Sequence, residues 1–186
     1  ISARITRRDK ITMQNITDSF KGKTLLITGG SGSFGSSCLK HFLTTDIECI
    51  KIFSRGEKAQ DTLRHYLQAN YPEYSSKVQC IIGDVRDLSS LRDAMYGVDY
   101  IFHAAALKEV PSCEFFPMEA MRTNVIGTDN VITAAVEAGV QRVVFLSTDK
   151  AAYPINAMGM SKALAEKVVG SRAQAAYDRG GTVVCC

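Results

Sequence analysis

The sequence predicts an α/β protein: a Rossmann-type, doubly wound parallel sheet in three α/β/α layers. Three observations carry this expectation. From Met13 onward, apolar runs of strand length alternate with longer stretches of helical periodicity, the pattern of consecutive βα units. A glycine-rich turn, Gly29-Gly30-Ser31-Gly32-Ser33-Phe34-Gly35, separates the first strand run from the first helix run. The 186 residues, 46% hydrophobic and 22% charged, supply enough apolar material for one core.

The elements follow in order. A strand is expected over 23–28, where Thr24-Leu25-Leu26-Ile27 runs into the glycine turn, and a helix over 35–44 leaves that turn. The next strand covers 47–53 and the next helix 57–70; a third strand follows over 78–82. Asp87-Leu88-Ser89 offers caps for a helix over 88–96 that Gly97 ends. The fourth strand, 99–103, leads to a helix over 116–138 that Gly139 ends. A strand over 142–147, a helix over 156–178 and a strand over 182–186 complete the pattern. Right-handed crossovers place the C-terminal ends of all these strands along one edge.

Residues 1–19 are expected to form a flexible N-terminal segment, and 20–186 a Rossmann domain truncated in its sixth strand. The chain begins at Ile1, and Met13 sits just ahead of the first strand, so residues 1–12 read as a non-native extension or tail. There are no internal repeats, low-complexity tracts or domain linkers.

The net charge of +3 is concentrated in that tail: Arg4, Arg7, Arg8 and Lys10 less Asp9 account for it, leaving the remainder formally neutral. A nucleic-acid footprint is therefore not supported. No apolar run approaches the roughly 20 residues of a membrane span, and no apolar segment follows the basic residues as a secretory signal requires. Cys38, Cys49, Cys80, Cys113, Cys185 and Cys186 lack metal-type spacing, so they read as small hydrophobes in a reduced, cytoplasmic setting, with no metal expected.

The glycine turn reads as a dinucleotide phosphate loop. Gly29 permits the tight turn, Gly32 lets backbone N–H groups reach a pyrophosphate, and Gly35 lets the helix pack closely on the sheet. Ser31, Ser33 and Phe34 complete the loop. The second strand ends in Phe53-Ser54-Arg55-Gly56-Glu57-Lys58, without the acidic residue that holds an NAD ribose. Arg55 can pair with a 2′-phosphate, Ser54 can hydrogen-bond it and Lys58 can add charge, so NADP is the expected cofactor. Asp84-Val85 is placed for the adenine edge. Ala104, Ala105 and Ala106 are small enough for the cofactor to lie against their backbone, and His103 reads as a packed histidine. Met95, Met118, Met121 and Met160 read as packing.

The fifth strand closes on Ser147-Thr148-Asp149-Lys150, and the last helix carries Met158-Gly159-Met160-Ser161-Lys162. Through 28–35, 54–58, 103–111 and 147–162 the chain resembles the extended short-chain dehydrogenase/reductase superfamily. More narrowly, over residues 20–186, it resembles the soluble, inverting UDP-N-acetylglucosamine 4,6-dehydratases of bacterial surface-polysaccharide synthesis (capsule and lipopolysaccharide). The usual superfamily pattern is Tyr-x-x-x-Lys; here Met158 stands in the tyrosine position, as in a Met-x-x-x-Lys subset of these dehydratases.

The resemblance implies oxidation of the sugar at C4, loss of water across C5 and C6, and reduction at C6 with inversion at C5. It implies that Lys162 holds the nicotinamide ribose, Thr148 hydrogen-bonds the C4 oxygen, Asp149 is the acid for the C6 hydroxyl and Lys150 the base at C5. A thioether has no proton to exchange, so Lys150 or Asp149 is left to take the C4 proton, directly or through water. A lysine beside a cationic nicotinamide and a second cation is expected to have a lowered pKa. Lys108 resembles a lysine at the cofactor and substrate, and Asn124 the asparagine that steadies the active-site lysine through backbone and water. The implied partner is a UDP-sugar, with a homo-oligomer in the full-length protein. The resemblance also implies that residues 20–186 are the NADP-binding domain and that the C-terminal substrate domain is missing, leaving a fragment that is inactive by itself. A nucleotide-sugar 4-epimerase, a retaining dehydratase and a non-catalytic NADP-binding protein remain open readings.

Overall fold

The structure, a computed structural model, describes residues 20–178 and 184–185. The expected flexible segment, the suspected extension at 1–12 and Cys186 lie outside the described residues.

Six strands form one parallel sheet: β1 (Thr24–Thr28), β2 (Cys49–Ser54), β3 (Val78–Ile82), β4 (Tyr100–His103), β5 (Arg142–Phe145) and β6 (Val184–Cys185). Their spatial order is β3-β2-β1-β4-β5-β6, so the winding reverses between β1 and β4. Thr28 stands level with Phe53 on one side and His103 on the other. Ligands bind outside the carboxyl ends of strands at such a reversal, because the loops on either side turn away in opposite directions.

Both faces of the sheet are covered, which explains why β1 reads as a continuous apolar run rather than an alternating one. Leu25 and Ile27 join Leu39, Leu43, Ile50, Ile52, Leu63 and Leu67 on one face. Leu26 points the other way, into Phe53, Leu91, Met95, Ile101, Val131 and Val143. The first group packs helices α1 (Ser33–Leu43) and α2 (Glu57–Asn70) against the sheet. Leu91 of the second group comes from α3 (Leu88–Ala94). The Asp87 carboxylate caps α3 by accepting from the Ser89 and Ser90 amides, and Gly97 follows it at φ +70°.

The helix expected over 116–138 is built differently. A short helix not foreseen from periodicity, α4 (Val110–Phe115), precedes it. Phe116 breaks the run at φ −129°, ψ 60°, because a residue before proline is pushed out of the helical region. The chain then runs through α5 (Pro117–Ala120), a π-helical turn (Met121–Ile126) and α6 (Gly127–Glu137). The wide turn buries three successive residues, Thr123, Asn124 and Val125, which a regular helix could not all present to one side. The last helix, α7 (Ala157–Asp178), lies along α6 and the π turn. Of the four methionines read as packing, Met95 is fully buried, but Met118 and Met160 are exposed.

Candidate functional site

A cleft of about 450 Å³ opens at the carboxyl ends of β1, β2 and β4. Its floor is the glycine loop. Gly29 takes φ +68°, where a side chain is strained, and its amide donates to the Phe53 carbonyl at 2.8 Å. A Cβ there would stand 2.8 Å from the Ala105 nitrogen, so the loop and the backbone after β4 touch directly. A Cβ on Gly35 would meet the Gly30 Cα at 2.4 Å. No side chain caps α1 at Gly32, which leaves the first amides of the helix facing the cleft for an anion. Replacing Gly35 with alanine is expected to force the loop and α1 apart, destabilising the fold by about 1–3 kcal/mol. It should also abolish measurable dinucleotide binding, read by quenching of reduced-cofactor fluorescence; wild-type affinity in that variant would refute the tight-cradle account.

The expected cofactor residues meet here almost completely. Gly29, Ser31, Gly32, Ser33, Phe34, Gly35, Ser54, Arg55, Asp84, Val85, Ala104, Ala105, Ala106 and Lys108 all line the cleft. Ser54 Oγ accepts from Ser31 Oγ at 3.0 Å and from Gln60 Nε2 at 2.9 Å, leaving its own proton to offer a ligand. Buried Gln60 also donates to the carbonyls of Ser54 and Ile81, tying the ends of β2 and β3 together. Arg55 is half exposed, its Nη1 3.8 Å from the Asp84 carboxylate. Burial acts to raise the Asp84 pKa, but hydrogen bonds from the Arg86 side chain and backbone, with the charge of Arg55, outweigh it and hold the carboxyl below its ordinary value.

Three expected cofactor residues lie elsewhere. Lys58 sits exposed in the first turn of α2, outside the cleft lining. Asn124 is buried and grips the chain before Lys108: it accepts from Leu107 N at 2.8 Å and donates to Leu107 O at 2.9 Å and Ser161 Oγ at 2.9 Å. Its direct partners are thus the loop after β4 and α7, where Ser161 stands next to Lys162. Lys162 lies beneath the cleft wall at 6% exposure, its Nζ donating to Leu146 O at 2.6 Å and standing 4.3 Å from the centre of the Phe145 ring. Burial lowers its ammonium to about 8, against the opposing pull of Glu166.

The reactive segment is more open. Thr148 caps a 3-10 turn (Asp149–Ala151); its hydroxyl accepts from Lys150 N and donates to Asp149 Oδ1 at 2.9 Å. Asp149 is 86% exposed and pairs with Lys150 Nζ at 3.5 Å. The Thr148 hydroxyl first, then the Lys150 charge, hold the Asp149 carboxyl below its usual range. This runs against the acid role expected for Asp149: exposed to solvent, it is a charged acceptor. None of 148–150 lines the cleft, whose wall on that side ends at Leu146. Met158 is buried with Cys113 and Ala120, packed against Leu107, Val110 and Ala157. It occupies the expected helix position but presents no polar group.

His103 is packed, as the sequence suggests, yet it belongs to a polar relay. The Thr128 hydroxyl donates to the Asn124 carbonyl at 2.6 Å, so toward His103 Nε2, 3.0 Å away, it accepts. The imidazole proton therefore sits on Nε2, and Nδ1 accepts from the Thr28 hydroxyl at 2.6 Å. Thr28 Oγ1 in turn accepts from the Ala105 amide at 3.3 Å. Burial first, and the charge of Lys162 second, push the His103 pKa down to about 3.

Sequence reasoning gave no site role to Phe53, Gly56, Gly83, Thr123 and Leu146, which also line the cleft. Gly83 had a signal, a glycine just past a strand, and a Cβ there would strike the Phe53 ring at 2.3 Å. Thr123 had none, since only the π turn brings it to the cleft. Its buried hydroxyl finds no hydrogen-bond partner within the protein, and at the cleft it is free to bond a bound ligand or water. Together with the bare start of α1 and the glycine cradle, this fits a phosphate-bearing dinucleotide. Among the described residues, no helix is long and apolar enough to cross a membrane and no cluster of metal-ligating side chains occurs.

The chain is 54% identical over 170 residues to the UDP-glucose 4-epimerase of Rickettsia massiliae, covering 89% of this chain and 48% of that one. It spans about half the length of the curated relatives it matches. Among solved structures, Pen from Bacillus thuringiensis matches at 36% identity and TM-score 0.83, over 89% of this chain and 49% of that one. DesIV of Streptomyces venezuelae, a dTDP-glucose 4,6-dehydratase solved with NAD, matches at 26% identity and TM-score 0.73, over 87% of this chain and 54% of that one. These likenesses bear out the Rossmann-type fold. A family match that opens within β1 and continues through the whole sheet, over residues 25–186, completes the assignment: the chain belongs to the polysaccharide biosynthesis protein family.

Proposed function

We propose that the intact protein is a cytoplasmic, homo-oligomeric, NADP-dependent nucleotide-sugar 4,6-dehydratase. Its substrate is UDP-N-acetylglucosamine, converted with inversion at C5 in bacterial surface-polysaccharide synthesis. One local observation carries the reading. Where a tyrosine would offer a proton, Met158 is buried among apolar side chains, while Thr148, Asp149 and Lys150 present a hydroxyl, a carboxylate and an ammonium on one turn after β5. Epimerisation at C4 needs one acid/base group; dehydration needs further groups at C5 and C6. The name of DesIV supports the same chemistry.

The bound dinucleotide would supply reversible oxidation of the sugar. The protein's own groups do the rest. The amides opening α1 and the glycine loop hold the pyrophosphate, and Arg55 with Ser54 holds the 2′-phosphate. Thr123 and Lys108 line the same cleft and hold the cofactor toward the sugar. Lys162 supplies positive charge for the nicotinamide ribose and for oxygen charge at C4. Thr148 donates to that oxygen, and Lys150, when neutral, takes the proton from C5. Asp149 serves the C6 hydroxyl once the sugar excludes water, because desolvation favours the protonated carboxyl.

A second reading, a 4-epimerase, is favoured by the name of the Rickettsia massiliae relative. Incubating the intact protein in D₂O with UDP-N-acetylglucosamine and with UDP-glucose separates the two. A 4-keto-6-deoxy product carrying deuterium at C5 is expected; a 4-epimer without deuterium would overturn the dehydratase reading, and tight cofactor binding with no product would overturn both. For the cofactor, Arg55→Ala is expected to weaken NADP binding about 10- to 100-fold while leaving NAD nearly unchanged, the loss of one charge-assisted contact. Equal losses for both cofactors would assign Arg55 another role.

A further inference from the structure

Lys162 and Glu166 lie one turn apart on α7, so their side chains share a face. Both reach the same strand end. Lys162 donates to the Leu146 carbonyl, and the hydroxyl of the next residue, Ser147, donates to the Glu166 carboxylate. α7 thus grips two successive residues just past β5. On one side of this grip, Leu146 walls the cleft. On the other, the chain enters the turn bearing Thr148, Asp149 and Lys150.

We infer that Glu166, acting through Ser147, is a positioning residue: it clips the end of β5 to α7 and so fixes the Leu146 carbonyl against which the buried Lys162 ammonium rests. The inference rests on the reading above only in giving Lys162 its place beside the cofactor.

A buried ammonium requires partners that stay in place, because an uncompensated charge in a low dielectric is costly. Lys162 has a carbonyl, a ring face and, one turn along, the Glu166 carboxylate. The carbonyl belongs to a connecting segment that β4 holds by a single backbone bond, Leu146 N to His103 O at 3.0 Å. Without the clip, the carbonyl is free to move away and leave the buried ammonium short of a partner. The titratable groups acting on Lys162 are Glu166 from its own helix, which favours the charged form, and buried His103 from β4, which is neutral. Asp149 and Lys150, on the following turn, pair with each other. Removing the Glu166 charge, or releasing it from Ser147, therefore lowers the pH at which Lys162 gives up its proton.

The test follows the Lys162 signal by NMR in the intact protein carrying isotope-labelled lysine, assigned by its loss in Lys162→Met. Glu166→Gln is expected to move the titration midpoint down by about 0.2–0.4 pH unit, the size of one exposed pair at this helical spacing. The alkaline limb of turnover should move with it, and kcat should fall while KM for the sugar holds. Ser147→Ala, which removes a single oxygen, should shift the midpoint in the same direction and covers the case in which Glu166→Gln fails to fold. An unmoved midpoint in the folded variants overturns the proposal, because a purely structural clip would cost stability without changing the titration. A moved midpoint in a protein that turns over no nucleotide sugar supports the clip while sinking the activity reading.

Discussion

Replacing Lys162 with methionine is expected to slow turnover of a nucleotide sugar by about 10²- to 10³-fold, the usual cost of removing one preorganised charge from a reacting oxygen. Adenine-side affinity should change little, because Lys162 rests on the Leu146 carbonyl and the Phe145 ring and not on the loop at 29–35 or Arg55. Methionine keeps the length and apolar stem, so the helix and its packing should survive. The wild-type pH dependence supplies an internal check. With its ammonium lowered to about 8, Lys162 is charged at neutral pH and loses that charge as pH rises through about 8. Turnover should fall over that range in the wild type, and the small residual rate of the variant should not. A variant retaining more than a tenth of wild-type turnover would remove Lys162 from the reaction.

The second large effect is on stability in acid. His103 is neutral in the folded protein down to about pH 3, whereas an unfolded histidine takes a proton near its ordinary value of 6.5. Above 6.5 neither state binds that proton, and the full stabilisation is present. As pH falls from 6.5 toward 3 the unfolded state gains a proton that the folded state cannot accept. Stability from this one group should then drop by about 1.4 kcal/mol per pH unit. Carboxylates contribute to the same decline, so the comparison is with His103→Asn, which keeps an acceptor and a donor but does not titrate. Urea midpoints between pH 4 and 7 should fall less steeply in the variant, although it starts lower for the disturbed relay. Equal slopes would mean that His103 accepts a proton while folded, and the relay from Ala105 to Asn124 would lose its assigned direction.

Much of the binding half of this site is legible along the chain, because a phosphate cradle depends on backbone. Gly29 and Gly35 are where the chain turns with positive φ or touches itself too closely for a Cβ, and a residue's identity declares that directly. The alanines after β4 follow the same logic. Side chains that act at long range are harder to read. Lys58, in the first turn of α2, lies outside the cleft lining, and Asp149 is held as a charged acceptor by neighbours whose geometry has no sequence signature. Asn124 has its expected helix position, and its contacts, to the Leu107 backbone and Ser161, form only when α7 packs beside it.

The sequence by itself determined the alternation of strands and helices outside 110–126, the glycine cradle and the basic end of β2, since each depends on local conformation or on a residue type at a strand end. Tertiary structure decided the rest. Only packing bends the helix around residues 121–126 into a π turn and brings the Thr123 hydroxyl into the cleft without a protein partner. Only burial neutralises His103 and brings Lys162 near its titration point. A pKa, a tautomer or an unpaired hydroxyl depends on what surrounds a group in three dimensions, and residues 75 or 16 positions apart in the chain, Thr28 and His103 or Leu146 and Lys162, become neighbours only when the sheet closes.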